Sequence, residues 1–303
     1  MTSQSPEPSP ASEKARLLGL GGLAALLLLA FIVPLTKTLK LALESDMHSH
    51  TPLIPLISGY LLFTYRDTLS RAYKTSLLPA VGFAFIALAF LLLGLGLLPG
   101  VPPFEASTAL ALVLLALLFF LYCGGFLFLG AGWMRTALFP LAFLIFSIPL
   151  PLFLETGIEN ALVLASADAT AVFFSIFQVP FVRDGVVFQL PGITIEVAQE
   201  CSGIRSTYVL FITSLLIAYL FLRSPWRRAV LVAAIIPLGI IRNGFRILVI
   251  GWLCVEVDPH MIDSFIHRKG GPIFFVLSLI PLFLLLLWLR RGERPQKLSP
   301  PPI

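Results

Sequence analysis

The sequence predicts an all-α, polytopic membrane protein with about eight transmembrane helices and a small extracytoplasmic β-meander before the sixth. Hydrophobic residues make up 58% of the 303 residues and charged residues only 12%, and the mean hydropathy is +0.95. Apolar runs of about 20 residues, long enough to cross the hydrocarbon layer of a bilayer, recur along the chain. A chain of this length filled with such runs has no room for a second, water-soluble domain.

The eight predicted spans form one membrane domain over residues 16–290. A Pro/Ser-rich tail, residues 1–15, precedes it, and a basic, Pro-rich tail, residues 291–303, follows it. We expect both tails to be cytoplasmic and the first to be disordered. The second span is short and carries two prolines, so it can be tilted, broken or re-entrant. The predicted spans are about 17–35, 52–65, 77–98, 107–130, 136–154, 203–222, 228–253 and 272–289.

The segment 155–200, between the fifth and sixth spans, is predicted to be extracytoplasmic. Residues 159–177 have helical periodicity with two acidic residues among apolar ones, as in a helix that lies at the membrane interface. After residue 181 the period changes to that of strands, with Asp-Gly and Pro-Gly as turn signals and Ile193, Ile195 and Val197 alternating with polar residues. A β-meander should therefore lead into the sixth span.

The basic residues predict the orientation of the chain. With eight spans and a cytoplasmic N-terminus, 13 Lys and Arg fall in segments predicted inside and 5 in segments predicted outside. This asymmetry agrees with the positive-inside rule, and it would be inverted downstream if residues 159–177 crossed the membrane. The net charge of +5 therefore reflects topology, and we predict no nucleic-acid partner.

A polar cluster, Glu196–Ser206, stands where the predicted strands give way to the sixth span, and it contains Cys201. A neutral thiol is a poor nucleophile, because a pKa near 8.5 leaves only a few per cent as thiolate at neutral pH. The start of a helix favours an anion, and Arg205, one turn later, falls on the same face. Cys201 is therefore a candidate nucleophile; the alternative is a small buried residue, the commonest role of a free Cys.

The seventh span carries Arg242, Asn243 and Arg246. A cation well inside a span costs about 2.5–3.5 kcal/mol on insertion scales, so an intramembrane Arg is a functional candidate. Both Arg242 and Asn243 share a helical face with Arg246, and their spacing leaves the choice between the two arginines open. The alternative is an Arg that reaches the interface or pairs structurally with Glu200 or Glu256.

His267 lies just before the last span and could accept a proton from a thiol and return it to a leaving amine. A solvated loop His is the alternative, and His260 is a nearby competitor. With the predicted topology, Cys201, Arg246 and His267 all fall at the outer membrane–water interface.

No metal or organic cofactor is predicted. The three Cys residues, Cys123, Cys201 and Cys254, form no CxxC pattern, and neither a disulfide framework nor a zinc site is indicated. His48 and His50 lack a carboxylate or thiol partner at metal-ligand spacing.

The order of three motifs, EVAQECSGIRS, then NGFR inside a helix, then HRKGG before the last span, resembles the exosortase/archaeosortase family of membrane transpeptidases. The segments HSHTPLIPLISGYLLF and LPGITIEV also look like family sequence, so the resemblance covers about residues 48–285. It implies a catalytic Cys–Arg–His set, carried here by Cys201, Arg246 and His267, and it selects Arg246 over Arg242. Asn243, Arg205 and Glu200 are then candidates for orienting these groups or the substrate.

The resemblance also implies partners and a location. The substrates would be exported proteins with a C-terminal sorting signal of the PEP-CTERM kind: a short motif, a membrane helix and a basic cluster. The acceptor would be a membrane lipid or an envelope glycan, and the enzyme would lie in the cytoplasmic membrane with its active site on the extracytoplasmic face. Two other classes of protein fit a basic polytopic chain: an export permease for polysaccharides or lipid-linked sugars, and a non-catalytic membrane scaffold.

Overall fold

The structure is a computed structural model, and it describes residues 10–45, 47–70, 73–197, 203–258, 260–261 and 271–293. The chain divides between Phe153 and Leu154 into two compact units, each of which is described by itself below.

All the regular secondary structure described in the first unit is helical. Two short 3-10 turns, at Arg66–Thr68 and Leu144–Ser147, supplement its helices. Those helices are α1 (Pro10–Ala30), α2 (Ile32–Glu44), α3 (Leu53–Thr64), α4 (Leu77–Gly94), α5 (Ala106–Phe128), α6 (Gly130–Thr136) and α7 (Leu138–Phe143).

The second unit combines helices with one small antiparallel sheet. Helix α8 begins two residues before the division between the units. The elements are α8 (Leu152–Ile176), β1 (Val182–Asp184), β2 (Val187–Leu190), β3 (Ile193–Glu196), α9 (Ile204–Phe221), α10 (Pro225–Ala233), α11 (Ile235–Glu256) and α12 (Gly271–Arg291).

The helices confirm a multi-pass membrane protein. Six helical segments of the described chain are long and apolar enough to cross a membrane, and the number rises to eight if each of two bent pairs is one span. The bent pairs are α1 with α2, at an angle of 70°, and α6 with α7 and the turn after it, at 73°. The predicted second span is α3, a helix of only 12 residues.

Proline explains where these helices break. Because proline has no N–H, it cannot donate to the carbonyl four residues earlier, and its ring clashes with that carbonyl. Helix α1 ends four residues before Pro34, α6 ends four residues before Pro140, and α10 ends four residues before Pro237. The two bent pairs and the break between α10 and α11 therefore have the same local cause.

Helix α8 differs from the short interfacial helix predicted at residues 159–177. It begins at Leu152 and runs for 25 residues, because Pro149 and Pro151 end the preceding helical segment and leave the next residues free to start a new one. It is one of the six segments with the length and composition of a span. The predicted fifth span, 136–154, is correspondingly divided among α6, α7, a 3-10 turn and the start of α8.

The β-meander is confirmed as a three-stranded antiparallel sheet in the order β1-β2-β3. The register pairs Arg183 with Phe188 and Phe188 with Ile195. The predicted alternation also holds, since Ile195 and Val197 are buried while Thr194 and Glu196 are exposed. The buried face joins one hydrophobic cluster with Phe174 of α8 and with residues of α11, so the sheet is anchored on the helix that carries the candidate arginines.

Three segments of the first unit that carry basic residues lie close together. Arg16 of α1 donates from Nη1 to Thr75 Oγ1 at 3.2 Å and to the Phe128 carbonyl at 3.1 Å. The Ser70 amide donates to Thr136 Oγ1 at 3.2 Å, beside Arg135. The start of α1 and the chain around residues 70 and 135, each predicted to be cytoplasmic, therefore lie together. Their side of the membrane stays a prediction.

The second unit has a basic end of its own. The carboxylate of Glu293, after α12, accepts hydrogen bonds from the backbone amides of Arg223 at 2.8 Å and Ser224 at 3.0 Å. Arg227 lies 4.0 Å from the same carboxylate and donates to the Leu289 carbonyl at 3.0 Å. The end of α9, the start of α10 and the end of α12 are thus joined at one level.

We expect Glu293→Ala to lower the free energy of unfolding by about 2 kcal/mol, because it leaves two amides and a poorly exposed guanidinium without their charged acceptor. The midpoint of thermal unfolding in detergent measures the effect. Glu44→Ala is the matched control, since its pair with Lys40 is well exposed and such pairs contribute about 0–1 kcal/mol. Equal midpoints for the two variants would contradict this account of the basic end.

Candidate active site

Helix α9 begins at a glycine whose conformation suits few other residues. Gly203, the N-cap residue, has φ +70° and ψ 12°, in the left-handed region that costs other residues roughly 1–2 kcal/mol. Its carbonyl accepts the amide of Thr207 at 2.9 Å and the hydroxyl of Ser206 at 3.0 Å. The chain that enters α9 is therefore turned sharply at Gly203, two residues after Cys201.

Two residues of α11 lie against this turn. Arg242 donates from Nη2 to Thr207 Oγ1 at 3.2 Å and, at 3.4 Å, to the Gly203 carbonyl. A Cβ atom on Gly203 would come within 2.9 Å of Arg242 Nη2 and 3.7 Å of the Asn243 side-chain amide. The absence of a side chain at Gly203 thus allows the start of α9 to approach α11 at the level of Arg242 and Asn243.

This contact leaves polar groups enclosed in the protein. Arg242 is 9% exposed and Asn243 is 3% exposed. Arg242 Nη1 and Asn243 Nδ2 are buried and have no hydrogen-bond partner among the described residues. Buried donors are costly to leave unused, so this part of α11 has spare donors for an oxygen acceptor.

Arg246 lies one turn beyond Arg242 on α11, and it is partly buried. The neighbouring Phe245 packs edge to face against Phe274 in the first turns of α12, with ring centroids 6.3 Å apart. The start of α12 therefore lies beside the turn of α11 that carries Arg246, and His267 precedes α12 by four residues in the sequence.

The predicted site residues divide into two groups. Cys201, Glu200 and His267 lie outside the described residues, whereas Arg205, Asn243 and Arg246 lie inside them. The structure brings together the segments that flank all three predicted catalytic residues, namely the start of α9, the middle of α11 and the start of α12. Arg205 is exposed on α9, and Arg242 contacts the Gly203 turn.

The contact of Arg242 with Thr207 was not predicted. A buried guanidinium requires oxygen acceptors, and Thr207, on the first turn of the adjacent helix, was a signal for it in the sequence. Spacing within α11 alone could not indicate which neighbouring helix would supply the acceptor.

The described residues contain no group of three His, Cys, Asp or Glu side chains that could hold a metal ion. His48 instead lies with Nδ1 3.3 Å from Ser45 Oγ. It precedes α3 in the first unit, whereas α9, α11 and α12 belong to the second.

Comparison with known proteins identifies the family. The sequence model of the transmembrane exosortases matches residues 42–284, most of the chain, and the chain belongs to this family. Exosortases are in general transpeptidase-type enzymes. Searches of curated proteins and of solved structures gave no match.

We expect Gly203→Ala to lower the free energy of unfolding by about 3 kcal/mol, because the new methyl group adds backbone strain and displaces Arg242 from Thr207. Gly185→Ala is the matched control: Gly185 has φ +60° with open space around it, so only the strain, about 1 kcal/mol, applies. Thermal unfolding midpoints of the two variants check this. A Gly203→Ala midpoint no lower than that of Gly185→Ala would contradict the role given to the close contact.

Proposed function

We propose that this protein is a cysteine transpeptidase that cleaves the C-terminal sorting signal of exported proteins and transfers the remaining chain to an acceptor in the envelope. The observation that carries the proposal is the contact of Gly203 with Arg242 and Asn243. It ties the segment that follows Cys201 to the part of α11 that carries Arg246.

Chain geometry supports a meeting of Cys201 and Arg246. Two residues of extended chain cover at most about 7 Å, so Cys201 cannot be far from Gly203. Arg246 is four residues beyond Arg242, which corresponds to about 6 Å along α11. The long Arg side chain can bridge the remaining distance.

His267 has a comparable constraint. Three residues separate it from Gly271, the first residue of α12, and the first turns of that helix contact Phe245. This short connection limits the distance between His267 and the start of α12. The His267 imidazole can therefore reach Arg246 and the beginning of α9.

The surroundings favour a thiolate at Cys201. It precedes the 18-residue helix α9, whose N-terminal amides carry partial positive charge, and the buried cation Arg242 contacts the same turn. Lowering the pKa of a thiol from about 8.5 to about 7 requires roughly 2 kcal/mol, which a helix end and one cation can supply.

The proposed reaction is acyl transfer in two steps. The Cys201 thiolate attacks the scissile carbonyl carbon, and Arg246 stabilises the oxyanion while Asn243 orients the carbonyl. The C–N bond then breaks, the departing amine takes a proton from His267, and a thioester remains on Cys201. In the second step a nucleophile on a membrane lipid, an envelope glycan or water gives its proton to His267, attacks the thioester and releases the thiolate. Neither step requires a metal or an organic cofactor.

The length of α9 supports an extracytoplasmic site. Its 18 residues span about 27 Å, close to the thickness of a hydrocarbon layer. The basic end around Arg223 lies at its C-terminus, and Gly203 lies at its N-terminus. The positive-inside rule places the basic end in the cytoplasm, so Cys201 would face the other side of the cytoplasmic membrane.

We expect Cys201→Ala to abolish processing, because no other group on the proposed site can form the thioester; Cys201→Ser should lower the rate at least a thousandfold, since a hydroxyl ionises far less readily than a thiol. The measurement is retention of the C-terminal helix by a substrate protein in cells. Substrate processed at the normal rate by Cys201→Ala would exclude the mechanism and leave a permease or scaffold as the alternative.

The orientation of the protein in the membrane can be tested in a Cys123→Ala/Cys254→Ala double variant, in which Cys201 is the one remaining cysteine. A membrane-impermeant thiol reagent added to intact cells should stop processing by this protein. If the reagent acted only on inverted vesicles, the predicted orientation would be reversed while the thiol mechanism stood.

The two arginines of α11 should have separable roles. We expect Arg246→Gln to lower kcat about a hundredfold, the usual cost of losing an oxyanion donor, with normal protein abundance. Arg242→Gln should instead lower the unfolding midpoint, because Thr207 and the Gly203 carbonyl lose a charged donor. Abundance and single-turnover rate of each purified variant distinguish these effects. A fall in abundance for Arg246→Gln as large as its fall in rate would favour a structural role.

A further inference from the structure

The first unit contains a cavity of about 300 Å³, at the lower limit of volumes typical of ligand pockets. It is half open, and it is lined by α1 and α2 at their bend, the start of α3, the middle of α5 and the 3-10 turn after α7. The residues that line it are Leu28, Leu35, Thr38, Leu39, Thr51, Pro52, Pro55, Leu114, Leu117, Leu118, Leu121, Leu144, Ser147 and Ile148.

The lining is apolar except for three hydroxyl groups. Thr38 Oγ1 donates to the Pro34 carbonyl at 2.9 Å, and Ser147 Oγ donates to the Leu144 carbonyl at 2.6 Å. Thr51 is 6% exposed, and its Oγ1 has no hydrogen-bond partner among the described residues. A buried hydroxyl without a partner is unfavourable, so Thr51 offers a donor to whatever fills the cavity.

The shape and charge of the cavity restrict its occupant. An α-helix with its side chains is about 10–12 Å across, so it is too wide to enter a volume of this size. No Lys, Arg, Asp or Glu lines the cavity, so a phosphate or diphosphate group would find no counter-charge there. A single hydrocarbon chain with one neutral oxygen fits both limits.

The position of the cavity makes lipid its natural occupant. Leu114, Leu117, Leu118 and Leu121 lie in the middle of α5, a helix long and apolar enough to cross the membrane. At that level the surrounding solvent consists of lipid chains.

We propose that this cavity binds one acyl chain of a membrane glycerophospholipid, with an ester carbonyl oxygen accepting a hydrogen bond from Thr51 Oγ1 and the charged headgroup outside the cavity. The site is independent of the proposed transpeptidase chemistry, because every residue that lines it belongs to the first unit.

The test uses the full chain, purified in mild detergent, washed free of loosely held lipid and examined by native mass spectrometry. We expect the unaltered protein to retain one phospholipid per chain. Leu28→Trp and Leu39→Trp, which place an indole at lining positions that are 48% and 50% exposed, should lower this occupancy at least tenfold. Thr51→Val removes the hydroxyl with little change of shape and should shorten the half-life of the retained lipid about fivefold.

Leu29→Trp and Leu43→Trp are the matched controls, on the same helices but outside the lining; their side chains are 69% and 80% exposed. They should retain the lipid as the unaltered protein does. Only variants with normal elution and unfolding midpoint are compared, and Thr51→Val serves if the tryptophan variants do not fold. Equal retention in all variants, or an isoprenoid in place of the phospholipid, would overturn the proposal.

Discussion

A buried guanidinium determines how the helices of the second unit meet. Arg242 cannot remain in an apolar interior without acceptors, and the first turn of α9 supplies them through Thr207 and the Gly203 carbonyl. This requirement fixes α9 against α11 at one height. The start of α12 is placed at nearly the same height by Phe245 and Phe274, so one charged side chain sets the level at which three segments come together.

The sequence allowed the membrane class, the sheet and the order of the site segments to be predicted, because each depends on local information. Turn residues and the alternation of Ile195 and Val197 were enough for the sheet. The breaks in the helices were not predicted, although the prolines that cause them are visible in the sequence. Hydropathy is averaged over about 20 residues, so it does not detect the loss of a single backbone N–H at a proline. Helices α1, α6 and α10 end four residues before Pro34, Pro140 and Pro237, respectively.

The choice among arginines could not be made from spacing. A helix without one distinct polar face, such as α9, does not show in its sequence which side meets a neighbour. Arg205 was predicted to assist Cys201 because it follows one turn later; it is exposed on α9, and its role stays a prediction. The buried Arg242, 39 residues from Gly203 in the sequence, is a further cation at that turn. Only the packing of two distant helices decides this.

In the proposed mechanism, the two arginines of α11 illustrate how a structural charge can prepare a catalytic one. A cation that is buried and held between two helices cannot turn toward a substrate, whereas one at the edge of the packed region can. Arg242 is held by Thr207 on α9, and Arg246 lies a turn closer to the end of α11 and is only partly buried. Fixing the first also fixes the helix that presents the second. Preorganised charge stabilises an oxyanion without reorganisation during the reaction, so in the proposed mechanism the cost of burying Arg242 is offset by the rigidity it gives to Arg246.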